Sequence, residues 1–129
     1  DGSPGIGCPV IASIGGVDLV LIVTEPTLSG LHDLKRILEV ANHFNIPAMV
    51  CVNKCDINAE NTRAIEDYCE ERGIAIAGSI PYAPEVTKAM LNRLSVVEYP
   101  CAKVTDEVKR IWRKVEGCLF GANKEQCPF

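Results

Sequence analysis

No stretch of this 129-residue chain approaches the 18 or so consecutive apolar residues that a membrane-crossing helix needs. The longest run, Val17 to Val23, is broken by Asp18 and stops at Thr24-Glu25-Pro26. A concentrated excess of positive charge is missing too. Thirteen Lys and Arg against 17 Asp and Glu leave a formal net charge of -4, which disfavours a broad phosphate-backbone partner and so nucleic acid. No two of the seven cysteines form a C-x-x-C pair, and their number is odd, a pattern that suits reduced thiols better than a disulfide framework. Also absent is any G-x-x-x-x-G-K-[ST] or G-K-G-G-x-G-K loop, so the sequence has no phosphate cradle of that kind.

What is present suffices for one core. At 47% apolar and 23% charged, the chain is long enough for one compact domain, or part of one, and too short for two. With no initiator Met at its start, localisation is read from the cysteines, and reduced thiols predict a cytoplasmic protein. Cys51 and Cys55 straddle a strand end, where the turn after Asn53 weakens any case for a shared metal. Cys118 and Cys127 are expected to be ordinary thiols in a tail. Cys8 opens a short helix in a Gly-Cys-Pro step and is expected to be a small buried thiol. His32 and His43 lie about three turns apart on one helix, too far to share a metal.

Three continuous apolar runs, Val17 to Val23, Ala48 to Val52 and Ile74 to Ile80, read as strands covered on both faces. Helical patterns lie between them. Leu31, Leu34, Ile37, Leu38, Ala41 and Phe44 recur at three- and four-residue steps, with Ser29 as the expected N-cap. A second helix, capped by Asn58 or Asp56, is predicted to end near Arg72, where Gly73 supplies the left-handed residue. Pro84 suits the first turn of a short helix through Leu91. Val104, Val108, Ile111, Trp112 and Val115 line one face of a last helix, Lys109, Arg110, Arg113 and Lys114 form a solvated basic face, and Gly117 is the expected stop. The predicted fold class is α/β, a parallel sheet with alternating helices over residues 1–117, followed by an irregular tail over 118–129.

Ligands of such sheets collect beyond the carboxyl ends of the strands, and three informative segments fall there. The first is Asp1-Gly2-Ser3-Pro4-Gly5. Asp1 is placed to hold a magnesium ion through water, Gly2 and Gly5 let backbone N–H groups approach a terminal phosphate, and Pro4 stiffens the loop. The second is Asn53-Lys54-Cys55-Asp56. An Asn amide can donate to a base nitrogen and accept from an exocyclic amine, a Lys stem can cover the base or ribose, and an inward Asp56 would accept from guanine N1 and N2. The plainer alternative is that Asn53 ends a strand and Asp56 caps a helix. The third segment, Gly78-Ser79-Ile80-Pro81-Tyr82, follows the last strand.

Taken together, DGSPGIGCPV, TEPTLSGLHDL, NKCD and IPYAPEV resemble the C-terminal half of a MinD/ParA/Mrp-type P-loop ATPase, over Asp1 to about Val115. More narrowly, they are similar to the nucleotide-binding subgroup with an inserted ferredoxin-like iron–sulfur segment. The resemblance implies part of a three-layer SIMIBI-type sandwich that binds ATP and Mg2+, with Asp1 at the magnesium site. It also implies a γ-phosphate-sensing switch at Gly2, Pro4 and Gly5, adenine read by Asn53, and backbone contacts to the base from Ile80, Pro81 and Tyr82. A homodimer, an iron–sulfur cluster in the missing N-terminal part and ATP hydrolysis by the parent protein are further implications. The phosphate-binding lysines and clustered cysteines of that family are not in this sequence, so the chain alone is expected to be inactive. Ala83 stands where related chains often have Asp, a weaker cap for the helix at Pro84.

Two other functions compete. In the first, the D-x-x-P-G and Asn-Lys-x-Asp elements belong to a GTPase that reads guanine through Asn53 and Asp56, although the third loop is not of the Ser-Ala-Lys type. In the second, the chain is a non-catalytic interaction module, whose truncated sheet leaves an open edge for a protein partner.

Overall fold

The computed structural model describes residues 2, 5–99 and 101–121. Asp1 and Pro4, with the magnesium and switch roles expected of them, therefore lie outside the described residues, as does Cys127.

The elements run α1 (Cys8–Ile14), β1 (Val20–Thr24), α2 (Leu28–His43), β2 (Ala48–Asn53), α3 (Ala59–Glu71), β3 (Ala75–Ile80), α4 (Pro84–Leu91) and α5 (Ala102–Phe120). The strands form one parallel sheet in the order β1-β2-β3, with Val20 opposite Ala48 and Asn53 opposite Ile80. This is the predicted α/β architecture. Helices cover the sheet on both faces. Leu34 and Leu38 of α2 and Ile65 and Cys69 of α3 close on Val50 and Val52 from one side. Ile111 and Val115 of α5 close on Met49, Cys51 and Ala77 from the other. Only in β2 is every interior residue buried, which fits a central strand.

The edge strand departs from expectation. In β1, Leu21 and Val23 are 38% and 58% exposed: β1 is an edge strand, and on their face α5 packs against β2 and β3 and leaves these two side chains uncovered. A groove of about 620 Å³ follows this edge, lined by Val10, Ile14, Leu21, Val23 and Ile37.

Helix ends correct three further expectations. Thr27, not Ser29, caps α2, since its Oγ1 accepts the Gly30 N–H at 2.9 Å and Leu28 and Ser29 are already helical. Gly30 also allows a close approach: a Cβ there would collide with the Glu25 carbonyl oxygen. The last helix passes Gly117 and ends at Phe120, because a single helical Gly costs only about 1 kcal/mol and Leu119 and Cys118 still pack beneath β3. Trp112 is 55% exposed, one position round from Ile111, so it belongs to the outer face of α5.

Other boundaries follow the sequence reading. Asn58 caps α3 through its side chain, Gly73 has φ 65° just beyond that helix, and α4 starts at Pro84 behind an Ala83 that makes no side-chain cap bond. The basic residues Lys109, Arg110, Arg113 and Lys114 are exposed on α5. Cys8 is exposed at the first turn of α1, against the expectation of burial, because that turn points away from Val10 and Ile14, which alone are buried in the helix. Cys118 is disulfide-bonded, against its expectation as an ordinary thiol.

Candidate nucleotide site at the carboxyl edge of the sheet

Parallel strands deliver the segments after β1, β2 and β3 to one edge of the sheet, and polar contacts tie those segments together. The hub is the turn after β2. Lys54 adopts a left-handed conformation, φ 54°, which folds the chain sharply at the strand end. The Asn53 Oδ1 accepts the Lys54 N–H at 3.1 Å, setting the orientation of the half-buried Asn53 amide. The Cys55 N–H then donates to the Ile80 carbonyl at 3.0 Å, continuing the β2–β3 ladder one step past the strands. Beyond it, the Asp56 carboxylate accepts the Tyr82 N–H at 2.7 Å.

The β1 side is fastened by charge and by an amide. Lys54 Nζ lies 2.7 Å from Glu25 Oε1, and the Asn61 side chain donates to the Pro26 carbonyl at 3.1 Å. Both ionic groups are about two-fifths exposed, so their energetic worth is about 1 kcal/mol or less; their effect is to fix where the Lys54 stem lies. From behind, Thr62 Oγ1 donates to the Cys55 carbonyl at 2.7 Å, which anchors the turn to α3.

Of the sequence-predicted site residues that are described, Asn53, Asp56, Pro81 and Tyr82 are therefore neighbours across two adjacent strand ends. Asp56 does not cap α3, which Asn58 does. Gly2 and Gly5 sit elsewhere, lining the groove along β1, with Gly5 at φ 86°. Glu25, Asn61 and Thr62 were not singled out from the sequence. The signal for Glu25 was its place directly after an apolar strand in Thr24-Glu25-Pro26. Asn61 and Thr62 sit in the first turn of a helix and carried no such signal.

The cysteines near the site are structural in character. Cys51 and Cys55 pack in different clusters on the two sides of the sheet, and burial pushes the Cys51 thiol up to about 11. Cys55 is raised as well, by burial first and then by the Asp56 charge. Among the described residues no three His, Cys, Asp or Glu side chains gather as a metal site, so these residues do not fit an iron–sulfur cluster. No described helix is long and apolar enough to cross a membrane.

Comparisons with known proteins agree with this fold. No family model matches the chain. It is 32% identical over 116 residues to an uncharacterised protein of Methanocaldococcus jannaschii, covering 90% of this chain and 38% of that one. Two uncharacterised ATP-binding proteins of the same organism are 39% identical over 79 residues and 27% identical over 103 residues, covering 60% and 78% of this chain. The chain spans 30% and 38% of those two relatives. Among solved structures, the MinD cell division protein of Aquifex aeolicus aligns with TM-score 0.72 at 21% identity, covering 88% of this chain and 50% of its own. The cell division ATPase MinD of Pyrococcus furiosus gives 0.75 at 20%, with coverages of 90% and 49%. A ParA family ATPase of Chlorobium tepidum gives 0.60 at 20%, with 84% and 46%. The chain thus has the fold of MinD/ParA-type P-loop ATPases, over about half of their length.

Proposed function

We propose that this chain is the base-side half of a MinD-like ATP-binding domain, with the phosphate-binding loop supplied by the remainder of that domain. The observation that carries this reading is the joining of the two loops after β2 and β3 by Cys55 and Asp56, which sets Asn53 beside Pro81 and Tyr82. Pro81 has no N–H, so the only polar backbone atom it can offer a base is a carbonyl acceptor. An acceptor suits the exocyclic amine of adenine and opposes the O6 of guanine. Asn53 completes the base contact with its amide, and Lys54, held by Glu25, lies beside the base or ribose. Two relatives named as ATP-binding proteins support the same nucleotide.

In this reading Asp1 holds Mg2+ through water, and Gly2, Pro4 and Gly5 form the loop that senses the terminal phosphate. When bound, Mg2+ would neutralise charge developing on the phosphates. The groove along β1 seats the missing half of the sheet, whose added strand would cover Leu21 and Val23. Hydrolysis and dimerisation belong to the complete protein, while this chain alone turns over no nucleotide. Five of the six cysteines among the described residues are free, which favours a cytoplasmic setting, and the disulfide-bonded Cys118 is the exception.

The test is competition of ATP and GTP for the whole protein, together with turnover by this chain alone. The reading expects ATP to win and the isolated chain to be inert. Equal competition by GTP, or robust turnover by the isolated chain, would refute it.

A further inference from the structure

We propose that Asp56 is a positioning residue: its carboxylate holds the Pro81–Tyr82 loop in place and does not read the nucleotide base. This deepens the adenine-nucleotide reading and rests on it for the ligand, although the brace itself is a property of the chain without nucleotide.

The backbone explains why a side chain is needed there. The β2–β3 register ends at Asn53 opposite Ile80, and one further rung, Cys55 N–H to the Ile80 carbonyl, follows across the left-handed Lys54. Pro81 then interrupts the ladder, because it has no N–H to donate. Tyr82 is the first residue after Ile80 with a donor, and the Asp56 Oδ1 meets that donor at 2.7 Å. The carboxylate substitutes for the next backbone carbonyl of the ladder. Thr62, bonded to the Cys55 carbonyl, holds the other side of Asp56's own segment against α3, so the brace has a fixed base.

The same bond sets the carboxylate's hold on the loop against a role in base recognition. Reading guanine through a carboxylate takes both oxygens, one for the N1 proton and one for the exocyclic amine. Oδ1 already accepts the Tyr82 N–H, and sharing it with a base would weaken that bond, so the loop and a two-oxygen base grip compete for the carboxylate. The Asn-Lys-x-Asp spelling, which from sequence also admitted a guanine reading as the alternative, here carries a loop brace.

The experiment compares the whole protein with its Asp56→Ala and Asp56→Asn variants. Amide hydrogen exchange at Tyr82 is measured without nucleotide, and ATP, GTP and XTP then compete against a fluorescent ATP analogue. Asp56→Ala should speed Tyr82 exchange about tenfold or more, the loss of a charge-assisted hydrogen bond. It should also weaken ATP binding. Asp56→Asn keeps an oxygen acceptor, so it should restore slow exchange and ATP binding and gain no affinity for XTP. Tyr82 exchange identical in all three proteins would overturn the proposal. So would an Asp56→Asn variant that exchanges GTP affinity for XTP affinity, the mark of a carboxylate that reads guanine. If the exchange pattern appears but the unmodified protein binds none of the three nucleotides, the brace stands and the nucleotide reading fails.

Discussion

Asp56 illustrates how a residue's type and position leave its job open. From sequence it had two candidate roles, base reader or helix cap, and the structure gives its carboxylate to the Tyr82 N–H while Asn58 takes the cap. Ala83 was legible in both type and consequence. It occupies the N-cap of α4 with extended backbone and no side-chain bond, so Ala83→Asp should raise stability by about 1 kcal/mol in denaturant unfolding. Gly78 fell from sequence both in the Ile74 to Ile80 run and in the loop segment, and the structure places it within β3. A Cβ there would lie 2.7 Å from Ile111 Cγ1, and Gly78→Ala should cost about 1–3 kcal/mol, with the midpoint of unfolding as the readout. The thiols give a further prediction. Burial raises Cys51 and Cys69 from 9.0 to about 11, whereas Cys8 is exposed, so alkylation of native protein near neutral pH should modify Cys8 first and leave the other two intact. In the unfolded chain these two thiols ionise near 9.0, below their folded values. Their contribution to stability is therefore complete below pH 9 and is lost as the pH rises towards 11, which a series of unfolding curves above pH 8 would show.

At the scale of elements, periodicity carried most of the information. Continuous apolar runs gave all three strands, and the three- and four-residue spacing gave α2 and α5, because burying a strand on two faces or a helix on one stripe leaves a direct mark on composition; α3 was placed by its capping residue and by Gly73. Helix ends were less readable. Ser29 and Thr27 are both good caps by type, and only the approach of Gly30 to Glu25, made possible by the missing Cβ, places the start at Leu28. Thr27→Ala should therefore destabilise the protein by about 1 kcal/mol, while Ser29→Ala should have little effect, an outcome thermal unfolding can separate. Gly117 misled for the opposite reason: the apolar residues that follow it keep α5 packed through its terminal turn. The exposure of Leu21 and Val23 was not readable at all, since nothing in the run Val17 to Val23 marks an edge strand apart from an interior one.

For the molecule as a whole, the parallel sheet makes a shared site of residues distant in sequence. Asn53, Asp56, Pro81 and Tyr82 come together because two adjacent strands end at the same edge, which the alternation of strands and helices foretold. What the alternation did not foretell is the web of Glu25, Lys54, Asn61 and Thr62 that fixes those loops before any ligand arrives. Preorganised loops lose less freedom on binding, which supports a base pocket complete on this side of the domain. The measurement that bears most directly on this account is nucleotide binding by the whole protein and its Asn53→Ala variant, with ATP and GTP titrated separately in the presence of Mg2+. The account predicts that ATP binds in preference to GTP and that Asn53→Ala weakens ATP about tenfold, the worth of one good base contact, with the fold unchanged. Preference for GTP, or ATP affinity untouched by Asn53→Ala, would contradict it.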